Sequence, residues 1–94
     1  MTLDEFRASL AQPTPPEVSK PLEALWHEAR GDWQKAHAIA QDVDDATGAW
    51  VHAYLHRKEG DVWNAGYWYH RADKPQSFGP LDAEWARIVE SLLG

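Results

Sequence analysis

The chain contains no cysteine, which removes disulfides, thiolate metal sites and cysteine nucleophiles from consideration. Positive charge is also scarce. Nine Lys and Arg face fifteen Asp and Glu, for a net charge of -6, and the nine are scattered. Phosphate backbones and anionic lipid headgroups are bound by clustered cations, so neither a nucleic acid nor a membrane surface is an expected partner. No apolar run approaches the roughly 20 residues that span a bilayer. The opening MTLDEFRASL places acids where a secretory signal needs a basic region and an apolar core, so a cytoplasmic location is expected. Strand-like alternation is missing throughout, and the fold class expected is all-α. No phosphate loop, dinucleotide fingerprint or nucleophile elbow occurs, and Ser9, Ser19, Ser77 and Ser91 lack a catalytic context. A non-enzymatic protein without a cofactor is therefore expected.

Aromatic side chains, by contrast, are abundant. Six Trp, three Tyr and two Phe in 94 residues supply the bulk that lets a small single domain bury a core. The first piece, residues 1–11, is an N-terminal helix opened by a Thr2–Glu5 capping box, with Leu3, Phe6 and Leu10 on one stripe. That stripe needs cover, so docking against the remainder is expected. Residues 12–18 carry prolines and form an extended connector.

Residues 19–44 form a first helical hairpin. Its first helix bears Leu22, Leu25, Trp26 and Ala29, then turns at Gly31. Asp32 caps a second helix running to about Val43, with Ala36, Ile39, Ala40 and Val43 on one side. A second hairpin, 45–75, is opened by Asp44 or Asp45 and turns at Gly60-Asp61. Val62, Ala65, Tyr69 and Ala72 are its expected inner face. A capping helix, 80–93, carries Leu81, Trp85, Ile88 and Leu92 inward and Arg87 and Glu90 outward.

The two hairpins align at an offset of 29 residues, which pairs Ala24 with Ala53, His27 with His56, Gly31 with Gly60, Asp32 with Asp61 and Ala36 with Ala65. A corner glycine followed five residues later by alanine allows two helices to approach closely. The run GDVWNAGYWYHRA, with Ala65, Tyr69 and Ala72 in frame, resembles the second half of a tetratricopeptide repeat. Ala65, Trp68, Tyr69 and Ala72 are also similar to the Sel-type variant. The resemblance spans Ser19 to Pro75, about two repeats. It departs from the family in its offset, against about 34 residues for a tetratricopeptide unit, and in copy number, against about three for a stable stack. It implies a protein-protein interaction or adaptor role. The family frame would put Trp50, Tyr54 and Arg57 on a concave groove, whereas the internal alignment pairs Tyr54 with core-like Leu25.

Five residues emerge as candidate partner contacts: Trp50, Arg57, Trp63, Tyr67 and His70. Trp63, Tyr67 and His70 share one face of their helix. The competing expectation, that the C-terminal helix covers this face through Trp85 and Leu81, is the favoured one. Gly66, inside the same helix, suggests close approach of another segment. His52 and His56, at i and i+4, have the spacing of a two-histidine metal clamp, with His27 or Glu28 as third ligand by repeat geometry. Without the acid of a metalloprotease motif, the plainer reading is a hydrogen-bonded helix seam. Asp42, Asp44 and Asp45 sit at a helix junction and suit capping. A protein or peptide partner is expected, with the chain a monomer or, if the aromatic face pairs with itself, a homodimer.

Overall fold

The computed structural model describes residues 1–94 and holds six helices and no strand. They are α1 (Leu3–Ser9), α2 (Lys20–Ala29), α3 (Trp33–Gln41), α4 (Ala46–Lys58), α5 (Val62–Ala72) and α6 (Leu81–Leu93). Both halves of the Thr2–Glu5 capping box form. Asp32, Asp45 and Asp61 each accept a backbone N–H three residues on and cap α3, α4 and α5, so the acid at that junction which caps is Asp45. None of the helices is long and apolar enough to cross a membrane.

α2 packs on α3, α4 on α5, and α3 against α4. At the Gly31 and Gly60 corners φ is +87° and +88°, a left-handed backbone that a side chain would strain. The docked stripe of α1 is real. Phe6 is fully buried with its ring 5.8 Å from that of Trp85, and Trp26 Nε1 donates to Ser9 Oγ at 3.2 Å. The Arg30 guanidinium ties the connector down by donating to Leu10 O at 2.8 Å and to Gln12 O.

The main core gathers Phe6, Leu22, Leu25, Trp26, Val51, Tyr54, Leu55, Trp85, Ile88 and Val89, so the internal alignment placed Tyr54 correctly in the interior. A smaller cluster, Ala53, Ala65 and Tyr69, seals α4 to α5. Four details differ from the sequence expectations. Ala29 and Val62 are exposed, each lying next to a corner where its helix runs out over solvent. α3 ends at Gln41 rather than Val43, because the chain must turn into the tight start of α4. The close approach is at Gly48, where a Cβ would fall 2.2 Å from Val43 O; at Gly66 it would meet only the Gln76 side chain, at an ordinary 3.6 Å.

The largest difference concerns α6. It packs against α1, α2 and α4, and Glu84 on it accepts a hydrogen bond from Tyr69 of α5. Trp85 fills the core and donates to Leu25 O at 3.2 Å, far from the face it was expected to cover.

Candidate functional site

Two features carry chemistry: one is on α5 of the second hairpin, and the other is where α3 of the first meets α4 of the second. The first is the outer face of α5. Because α6 lies elsewhere, Trp63 is 84% exposed and Tyr67, one turn on, 49%. His70 and Arg71 are also exposed, and Arg71 lies 5.9 Å from the Tyr67 ring. The expectation that α6 covers this face is thus overturned. Trp63, Tyr67 and His70 are free to touch a partner.

Arg57 is not. Its guanidinium donates to Glu84 at 2.7 Å and to Gly79 O, so the carboxylate it grips is internal. Glu84 is only 2% exposed and also accepts from Tyr69. An isolated carboxylate in such a place would be very costly; two charge-assisted partners hold it there. Burial, reinforced by the hydrogen bond to the same carboxylate, pushes the Tyr69 phenol far above its ordinary range. Trp50 is half-buried between the two clusters, with Lys74 Nζ 4.4 Å above its ring. It is a seam residue rather than a free anchor.

The second feature is a seam of imidazoles. His52 and His56, stacked at 4.9 Å on α4, meet His37 from α3, and Nε2 of His37 lies 2.9 Å from Nε2 of His52. Ring nitrogens of all three lie within 4.8 Å of one another. His27, offered by repeat geometry as the third member, instead lies beside Glu23 at 3.9 Å with its Nε2 buried and unpartnered. Glu28 pairs with Lys58. Neither joins the seam, because both sit on α2 while the free side of α4's histidines faces α3. His37 went unidentified in the sequence because it comes from α3, and only the packing of α3 on α4 brings it to His52.

Aromatic walls hold these rings. Trp33 stacks on His37 at 4.8 Å and 13°, and Trp68 on His52 at 3.9 Å and 13°. Trp33 is itself pinned, its Nε1 donating to Leu55 O at 2.9 Å. His56 Nδ1 lies 2.6 Å from Glu59 Oε1. Burial, reinforced by the two neighbouring imidazoles, drives His52 down to about 4; burial and His56 lower His37, with Glu59 opposing. The rings of His37 and His52 are therefore neutral near pH 7, with lone pairs available.

No protein-family model, curated protein or solved structure matches the chain.

Proposed function

We propose that this is a non-enzymatic, cytoplasmic helical-hairpin adaptor, related to tetratricopeptide or Sel-type repeats, that docks a protein segment on the outer face of α5. The observation that carries the reading is the open aromatic pair. A tryptophan 84% exposed, one helical turn from a half-exposed tyrosine, leaves large rigid apolar surface in water unless something else covers it. Arg71 beside Tyr67 favours a segment that sets a carboxylate next to its apolar side chains. Trp63, Tyr67 and His70 supply the contacts. The inner side of the same helix, Ala65, Tyr69 and Ala72, supplies rigidity.

The test is a Trp63→Ala/Tyr67→Ala double variant, compared with the unaltered chain in affinity capture from host lysate and in sedimentation. The reading expects proteins held by the unaltered chain to be lost, with stability changed by no more than about 0.5 kcal/mol. An unchanged set of captured proteins would refute it. A concentration-dependent dimer, abolished by the double change, would assign the face to a second copy instead.

A further inference from the structure

We propose that His37, His52 and His56 form a binding site for a late first-row divalent cation of the zinc class, with Glu59 positioning His56. The donors already stand at chelating distances. Around zinc, imidazole nitrogens sit about 2.0–2.1 Å from the metal and so about 3.3 Å from each other in a tetrahedron. The 2.9 Å separation of the His37 and His52 Nε2 atoms, and the 4.8 Å limit for the full set, need only small ring adjustments on either side of that value.

The proton inventory points the same way. A hydrogen bond between the Nε2 atoms of His37 and His52 needs a proton on one and none on the other, so it leaves the seam asymmetric. A cation placed among the three rings accepts a lone pair from each. Glu59 occupies Nδ1 of His56 and so leaves Nε2 as that ring's free nitrogen. A carboxylate on the far nitrogen fixes the tautomer and strengthens the ring as a ligand, the usual supporting arrangement for a metal-bound histidine. Trp33 and Trp68 flank the set and restrict two rings to their present planes. A cleft of ≈ 250 Å³ reaches His52 alongside Trp68 and Arg71 and offers a way in.

Donor chemistry selects the ion. An all-imidazole set suits zinc, copper or nickel and is poor for calcium or magnesium, which require oxygen. Three protein ligands leave a coordination position to water or a small exogenous ligand. A competing triad, His56, Glu59 and Asp61, lies within the same distance limit. It is the weaker site, because Asp61 is already committed to capping α5 and Glu59 is exposed.

The experiment is calorimetric titration of zinc chloride into the chelator-treated chain, repeated with magnesium. One zinc per chain and no magnesium binding are expected. His37→Gln and His52→Gln should each weaken zinc at least about 100-fold. Glu59→Gln should weaken it about 10- to 100-fold while keeping the stoichiometry. Cobalt(II) used in place of zinc should give a visible d–d spectrum that His52→Gln abolishes. His37 is only half-buried, so His37→Gln keeps the test alive if His52→Gln does not fold; circular dichroism of each metal-free variant checks this. No zinc binding at hundredfold excess would overturn the proposal. So would unchanged affinity in His37→Gln, which would move the ion to the His56–Glu59–Asp61 triad.

Discussion

The two corners of this protein share a backbone and differ in almost everything attached to it. At each, a glycine at φ near +90° is followed by an aspartate, with ψ of 74° at Asp32 and 75° at Asp61, that caps the next helix. Each aspartate N–H returns to a histidine carbonyl five residues back, Asp32 to His27 at 3.0 Å and Asp61 to His56 at 2.9 Å. The histidine rings then part ways. The His27 Nε2 is buried without a hydrogen-bond partner, whereas His56 joins two other imidazoles and bonds to Glu59. Aromatic content diverges too: at the exposed position just after the corner, the first hairpin has Gln34 and the second Trp63. Local sequence dictates the turn. Which neighbour faces the turn decides whether a side chain stabilises the fold or remains free for other work.

That contrast can be broken by substitution, and the largest effect should come from the position where the hairpins differ in charge. Glu28 in the first hairpin aligns with Arg57 in the second. Arg57→Ala strands Glu84 in the interior without its cation and should cost about 3–5 kcal/mol in urea unfolding. A loss under about 1 kcal/mol would mean the pair does not hold α6 to α4.

The next effect is pH-dependent and centres on His52 of α4. His52 is held near 4 when folded, against about 6.5 unfolded, so the unfolded chain binds more protons between those values. Its contribution is complete above about pH 6.5 and is lost as pH falls toward 4, on the order of 2–3 kcal/mol in total. Unfolding midpoints measured from pH 7 to 4.5 should fall less steeply in His52→Gln. His37 and His27, also lowered by burial, account for slope that remains. Equal slopes would show His52 to be solvated.

The corners themselves should respond alike. Gly31→Ala and Gly60→Ala each force a side chain into the left-handed region, at about 1–2 kcal/mol apiece. Thermal melts of the two should agree within a few tenths of a kcal/mol; a clear disparity would separate corners that the backbone makes equivalent. The smallest effect is at Trp63. Trp63→Ala should change stability by less than about 0.5 kcal/mol, although a buried tryptophan such as Trp26 is worth about 3–5.

Much of this architecture is legible in the sequence because it is encoded locally. The Thr2–Glu5 box and the Gly-Asp corners act over a turn or two, and both form. Long-range placement is another matter. The stripe on α6 says that Trp85 and Ile88 are buried but not against what, and α1 with α2 and α4 claimed them in place of α5. Glu84 gives no sign in sequence of being interior, since its partners Arg57 and Tyr69 come from two other helices. Two of the three seam histidines, His52 and His56, are readable from the i, i+4 spacing on α4. The third ring depends on how α3 lies along α4, which no spacing within either helix records.

Equivalent histidines at the two corners, His27 and His56, have different roles, and nitrogen-15 NMR of the imidazoles before and after one equivalent of zinc tests this most directly. His37, His52 and His56 are expected to shift together through one ring nitrogen each, with Nδ1 of His56 still protonated toward Glu59, while His27 and His70 stay where they are. Movement of His27 with His56, or of none of the five, would contradict it.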